Sequence, residues 1–346
     1  MSGPASPGSA ALDEARLTAW FERNVEGFAG PLTVNRLGGG QSNPTFEALT
    51  PSRGYILRSK PLGKLLPTAH MVEREFRVLD ALGPTAFPAP RVYALCEDLE
   101  VTGAVFYVMD RVEGRILRDS TLPECAPAER RAIWTDMVET LAELHSLDPD
   151  TLGLGDFGKR EGYLARQIKR WTGQYRASEI QQIEAMETLI GALEESRPAD
   201  GEVRLIHGDF KIDNVVLAPE RPEVAAVLDW ELSTLGNPLA DFSYLLMNWV
   251  MPSDQRSGLR DVDLDALGIP TVDEVVARYG EKTGRGDLGN VDWLFSYNLF
   301  RLAAICQGIV GRVRDGTANH PNALAMEQRV PVLTGWAHEF AEKAGL

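Results

Sequence analysis

The hydrophobic period of this chain changes once, and that change limits what it can fold into. Between residues 32 and 111 apolar side chains fall in short β-like runs: "LTVNRL", "TFEALT", "GYILRS", "FPAPRVYALCED" and "AVFYVMDRVEG". Turn-forming "GGGQSNP" and "PSRG" separate the first three, as hairpins require. A helical stretch, "AHMVEREFRVLDAL", interrupts them at 69–82, and another precedes them at 12–28. Beyond Gly114 helical spacing dominates, at 128–147, 163–174, 183–193, 272–279, 293–313 and 332–340. The pattern predicts an α+β protein with a small β-rich lobe and a larger helical lobe. We divide it into an N-terminal tail and helix (1–30), a small lobe (31–112) and a large lobe (113–346).

Composition narrows the function classes. With 35 basic and 50 acidic residues the net charge is −15, which argues against nucleic acid as a partner but allows a small anion held by local cations and backbone amides. Cys96, Cys125 and Cys306 are widely spaced and odd in number, so neither a disulfide framework nor a metal knuckle is expected, and a cytoplasmic setting follows as the default. The start, rich in Gly, Pro, Ser and Ala to Ala10, predicts a disordered tail and lacks the charged and apolar regions of a signal peptide. The most apolar window, "YLLMNWVM" at 244–251, is too short to cross a bilayer, so no membrane partner is expected. Oligomeric state is not legible in the chain.

The stretch "LIHGDFKIDNVVL" at 205–217 sets acids and an amide between two short apolar runs. Residues 215–217 and 224–228 read as a hairpin joined by "APERPE", with His207–Asn214 entering it and Asp229-Trp230-Glu231 leaving it. Asp209, Asn214 and Asp229 can therefore meet at one end of the hairpin despite separations of 5 and 20 residues. Asn214 and Asp229 offer hard oxygens that suit Mg²⁺, which takes few protein ligands and fills its shell with water and phosphate. Asp209 is left over as a base. Singly, each of these residues is ordinary turn chemistry. Eight residues in register with a D-W-E behind them is a far more specific signal.

"HGDFKIDN" followed by "LDWE" resembles the catalytic loop and metal motif of aminoglycoside phosphotransferase-like kinases, small-molecule cousins of the protein kinases. The resemblance implies a two-lobed protein-kinase-like fold, ATP and Mg²⁺ as cofactors, and a small-molecule alcohol as acceptor. It makes Asp209 the catalytic base, gives Asn214 and Asp229 the metal, and leaves His207 to brace the loop. In the small lobe it assigns Gly39, Gly40, Gln41, Ser42 and Asn43 to a phosphate-covering loop, whose bland alternative is a glycine-rich turn. Arg58 takes the phosphate-orienting role, with Lys60, two residues on and on the same strand face, as its rival. Glu75 becomes the ion-pair partner of that cation, while Glu73 is expected on a solvated face. Met109 and Arg111 mark a hinge whose backbone meets the adenine edge, a reading compatible with a buried strand ending in a turn.

In "LSTLGNPLADF", Asn237 departs from the family pattern, while Asp241 keeps its place and is expected to cap the next helix and brace the catalytic loop. His145 reads as helix-end packing. "LFRLAAICQGIVGRVRDG" and "ILRSKPLGKLLPTAHMVEREFRVLDAL" resemble the subgroup related to kinase-like domains fused to acyl-CoA dehydrogenases. That likeness implies an acyl-linked, hydroxyacyl-CoA-type alcohol. Arg301 and Gln307 lie on a largely apolar helix, either in inward contacts or as a snorkelling surface pair. The alternatives are an aminoglycoside O-phosphotransferase and a metal-dependent phosphohydrolase using His207, Asp209 and Asp229 as ligands.

Overall fold

The computed structural model describes residues 12–38, 43–62, 70–179, 181–199, 201–253, 258–316 and 323–346. They form two compact units, one of Met1–Arg115 with Ala225–Glu231, the other of Ile116–Val224 with Leu232–Leu346. The disordered tail expected to Ala10 lies outside the described residues.

The first unit opens with α1 (Glu14–Asn24), started by Asp13, whose side chain accepts from the Ala15 and Arg16 N–H groups. Its strands are β1 (Thr33–Arg36), β2 (Thr45–Leu49), β3 (Gly54–Ser59), β4 (Val92–Cys96) and β5 (Phe106–Asp110), with α2 (Val72–Leu82) and the short α3 (Leu99–Thr102) between them. They make one antiparallel sheet in the order β1-β2-β3-β5-β4. Alternation along the strands then decides what each face carries. Tyr55 and Leu57 of β3 and Phe106 and Val108 of β5 pack with Leu17, Trp20 and Phe21 of α1. Arg58 and Tyr107, paired across β3 and β5, point to the other face, where α2 lies. Two boundaries differ from expectation. The α1 helix belongs to the core of this unit because its apolar stripe has the sheet to bury against, and residues 225–231 cluster here and not with the helical unit.

The second unit is built from α4 (Pro127–Ser146), α5 (Tyr163–Ala177), α6 (Glu184–Glu195), α7 (Pro238–Val250), the short α8 (Leu264–Leu267), α9 (Val272–Thr283), α10 (Val291–Arg314) and α11 (Ala323–Ala344). Its hub is α10, packed against α5, α6, α7 and α11. By length and composition α10 could cross a membrane, which the sequence reading overlooked, but 83% of its most apolar window is buried inside the unit. It is a core helix. Between α6 and α7 run β6 (Arg204–Ile206), β7 (Val215–Leu217), β8 (Val224–Val227) and β9 (Thr234–Gly236). The Ala218 N–H donates to the Glu223 carbonyl at 2.8 Å and closes the turn read from "APERPE".

The pairing of β6 with β9 was not anticipated, because "TLG" is too short and polar to read as a strand. Gly236 is required there: a Cβ would sit 2.6 Å from Ile206 Cδ1 and 2.7 Å from the Tyr163 ring. Asn237 caps α7, its side chain accepting from the Leu239 and Ala240 N–H groups, so Asp241 is not the cap it was expected to be.

Phe21 is fully buried, and its ring meets Tyr55 edge-on at 5.5 Å. Phe21→Ala should lower the unfolding free energy by about 3–5 kcal/mol, as large-to-small core changes do. Denaturant titration checks this. A loss below about 1 kcal/mol would mean that α1 is peripheral to the sheet.

Candidate active site

In the first unit one guanidinium gathers three carboxylates. Arg58 Nε stands 2.6 Å from Glu75 Oε2, and its terminal nitrogen lies 2.5 Å from Asp229 Oδ1 and 3.6 Å from Glu231 Oε2. Burial opposes the Arg58 charge, but Glu75 and Asp229 outweigh it and raise its pKa. Glu75 is pinned further by Asn43 Nδ2 at 2.8 Å and the Tyr107 hydroxyl at 3.1 Å. Asp229 and Glu231 together carry more negative charge than the one guanidinium offsets, a setting that favours an added cation. Asp229 adopts φ +66°, a left-handed conformation that costs a non-glycine residue about 1–3 kcal/mol and clusters at functional sites.

The two rival cations take different carboxylates. Arg58 is the partner of Glu75, while Lys60 pairs with Glu73. Glu73 therefore does not lie on a solvated face: its side chain is 29% exposed and tied to Lys60. Met109 is buried in β5, and the Arg111 side chain pairs with Glu47 and Glu113. The Asp110 and Arg111 N–H groups already donate to Arg91 and Gly54 carbonyls, at 2.8 and 3.4 Å, so neither is free to meet a base edge. Gly39, Gly40, Gln41 and Ser42 lie outside the described residues.

In the second unit the loop after β6 is held from both sides. Asp241, 3% exposed on α7, accepts from the His207 N–H at 2.7 Å and the Gly208 N–H at 2.8 Å. Arg301 of α10 donates to the Gly208 carbonyl at 2.9 Å. Gly208 has φ +85°, and a Cβ there would fall 2.8 Å from the Leu232 carbonyl oxygen, so no other residue fits. His145 Nε2 lies 3.2 Å from Asp241 Oδ2, and its Nδ1 meets the Tyr279 hydroxyl at 2.8 Å. Burial works against the Asp241 charge, but His145, His207 and the backbone N–H of His207 outweigh it and lower its pKa. The brace is therefore a carboxylate.

The braced loop presents Asp209. Its Oδ2 is 3.0 Å from Asn214 Nδ2 and 3.1 Å from Lys211 Nζ. The Tyr244 hydroxyl also bonds to it, and burial together with this carboxylate raises the tyrosine pKa, keeping it a donor. Asn214 spends its amide nitrogen twice, on the Asp209 carboxylate and on the Asp209 carbonyl at 2.9 Å, which leaves its side-chain oxygen as the group that can face a cation. That amide oxygen, like the Asp229 carboxylate of the first unit, is a hard donor of the kind Mg²⁺ takes. His207 Nδ1 accepts from the Asp209 N–H at 3.2 Å and the ring is fully buried, so it braces the loop and the hydrolase ligand set loses its histidine.

Sequence reasoning missed Lys211 and Tyr244 as neighbours of Asp209 and left Arg301 undecided. No motif spacing links 209 to 244 or 301; the only signal was a long polar side chain on an apolar helix. Arg301 does not snorkel: it is 8% exposed, with its guanidinium carbon 4.8 Å from the Tyr244 ring centroid and 5.6 Å from that of Trp171. Gln307 Nε2 donates to the Ser178 carbonyl at 2.6 Å and ties α10 to the end of α5.

A profile of the phosphotransferase enzyme family matches residues 33–287. The chain is 42% identical over 318 residues to acyl-CoA dehydrogenase family member 10 of Mus musculus, covering 91% of this chain and 30% of that protein. It is 42% identical over 308 residues to acyl-CoA dehydrogenase family member 11 of Rattus norvegicus, covering 87% and 40%. The chain thus spans less than half the length of either relative. A solved structure from Ralstonia eutropha, provisionally described as an aminoglycoside phosphotransferase, matches with TM-score 0.88 at 43% identity, covering 96% of this chain and 99% of that one. The GDP complex of aminoglycoside 2′-phosphotransferase-IIIa matches in fold, with TM-score 0.61 at 15% identity over 96% and 99% of the two chains. The fold is the kinase-like one that the motif resemblance implied.

Burial raises the Glu75 carboxyl to about 7, against the opposing pull of Arg58. A carboxyl raised on folding contributes stability that is full below its unfolded value and is lost as pH rises through the folded one, here from about 4.5 to about 7. Glu75→Gln removes that titration. Across this window the variant's unfolding free energy should fall less with rising pH than the wild type's, read by urea titrations at both ends. Parallel pH profiles would refute the raised pKa.

Proposed function

The chain belongs to the phosphotransferase enzyme family, and from that premise we propose that it is a small-molecule kinase, moving the γ-phosphoryl group of ATP to the hydroxyl of a small alcohol. The observation that carries this reading is Asp209: the backbone of the preceding Gly208 is locked by Asp241 and Arg301, and the Asp209 carboxylate is met by donors from Asn214, Lys211 and Tyr244. A carboxylate so placed can accept the proton of an acceptor hydroxyl while the alcohol oxygen forms its new P–O bond. The bond from the γ-phosphorus to the bridging oxygen breaks, and ADP leaves with the electron pair.

Catalysis in this scheme is positioning and charge neutralisation more than covalent work. Arg58, fixed by Glu75, orients phosphate oxygens; Lys211, beside Asp209, offsets charge on the transferring group. Asn214 and Asp229 would each offer an oxygen to Mg²⁺, which when bound would neutralise phosphate charge. The surplus negative charge around Arg58 supports that assignment. The adenine edge uses carbonyls of the segment at Met109–Arg111, since the Asp110 and Arg111 N–H groups are engaged. The three cysteines are free and buried, which supports a reducing, cytoplasmic setting as part of the same proposal.

The two acyl-CoA dehydrogenase family relatives, of which the chain covers 30% and 40%, support an acyl-linked, hydroxyacyl-CoA-type acceptor. A second reading, an aminoglycoside acceptor, takes its support from the description of the Ralstonia eutropha protein. ADP release with matched panels of hydroxyacyl-CoAs and aminoglycosides tests both.

Two substitutions separate the roles within the site. Asp209→Asn keeps size and shape, so it should cut kcat by about 10²–10⁴ while Mg·ATP affinity and melting temperature hold. Asp229→Ala should lose Mg²⁺-dependent nucleotide binding itself, read by calorimetry. If Asp209→Asn abolishes nucleotide binding instead, Asp209 is a metal ligand and the base assignment fails.

A further inference from the structure

A cavity of about 340 Å³ in the second unit is lined by Arg118, Lys211, Asp213, Tyr244, Met251 and Arg329, among others. Lys211 and Asp213 belong to the catalytic loop itself, and Tyr244 bonds to Asp209, so this cavity adjoins the proposed base. Its volume is that of a small-molecule site. Lys211 is already committed to Asp209, at 3.1 Å, and to Asp213, at 3.8 Å. Arg118 and Arg329 are joined to no carboxylate among the described residues. Three cations against one carboxylate make the lining net positive by two, in a chain whose total is −15.

We infer that this cavity selects an anionic alcohol with an apolar body, a hydroxy compound whose carboxylate or phosphate is bound by Arg118 and Arg329. The inference rests on the kinase reading and names the acceptor class for it. Two uncommitted guanidinium forks match the planar geometry of a carboxylate or the oxygens of a phosphate, and bonds to such anions are about twice as strong as neutral ones. An ammonium group in the same place meets the like charge of both guanidiniums, a built-in rejection of polycations. The apolar wall, Met247, Met251 and Leu302, suits methylene groups and not sugar hydroxyls. Arg118 also lines a second cavity of about 340 Å³, where Asp119 and Glu124 stand beside Ile116, Leu117 and Leu122, so the net positive charge lies on the side of Arg118 that faces Asp209.

The test is calorimetric titration of the full chain, with a non-hydrolysable ATP analogue present, using eight-carbon hydroxy compounds that differ only in the distal group: carboxylate, phosphate monoester, amide or ammonium. Either anion should bind about tenfold or more tighter than the amide, with the ammonium weakest, and the ratio of the two anions tells carboxylate from phosphate recognition. Arg118→Ala and Arg329→Ala should each weaken the anions about tenfold and the amide little, while Arg329→Lys recovers part of the loss. Melting temperatures confirm that the variants are folded. Amide or ammonium binding as tight as the anions, unchanged binding in both alanine variants, or no anion binding tighter than about 10 mM would overturn the inference. The readout needs no turnover. Charge-selective binding without phosphoryl transfer to any acceptor would sink the kinase reading alone, and phosphorylation of ammonium alcohols in preference to anionic ones would sink this inference alone.

Discussion

Because Asp241 is only 3% exposed, its charge has to be met by the protein, and the groups that meet it organise the second unit. Two backbone N–H groups and His145 complete it, which forces residues 207 and 208 to turn their N–H groups inward. Only a glycine tolerates the resulting φ of +85° and the approach of Leu232. His145 is itself held by Tyr279, and burial lowers its pKa, so from α4 it serves as a hydrogen-bonding link between α7 and α9. Removing one partner from such a buried set leaves the others unsatisfied, which is why the loop has so little freedom.

Arg301 completes the arrangement from the opposite direction. It is a buried cation whose bond to the Gly208 carbonyl is joined by aromatic faces on Trp171 and Tyr244. Tyr244 in turn reaches Asp209. The carboxylate that the kinase reading treats as a base is thus reached by a network running from α5, α7 and α10. A small displacement of any of these helices would move Asp209, and positioning errors on that scale are costly in catalysis.

The first unit uses the same economy with the opposite sign. There a buried cation, Arg58, is the organising charge, and Glu75, Asp229 and Glu231 surround it. Sheet alternation places Arg58 and Tyr107 side by side on the face that α2 covers, so Glu75 meets both. The carboxylate surplus of that cluster and the cation surplus of the cavity beside Asp209 are local fields, neither visible in a total charge of −15. Function here is written in such fields more than in the fold that carries them.

The sequence by itself determined the change from strand to helix, the strands at residues 33–59 and 92–110, and the chemistry of the loop at 207–214. Each is local: period 2 and period 3.6 are properties of neighbouring residues, and a motif eight residues long needs no tertiary information. It also singled out Arg58 and Glu75, though it left Lys60 as a rival and sent Glu73 to solvent. Only the tertiary structure decided those pairings, because sheet register and the rotation of α2 set which carboxylate meets which cation. The same holds for Asp241, removed from its supposed cap by Asn237, and for β9, too short to announce itself without Leu205 opposite Leu235. Arg118 and Arg329 lie 211 residues apart and share one cavity. Their meeting comes from the packing of helices in three dimensions, where side chains distant along the chain share one wall and no periodicity records it.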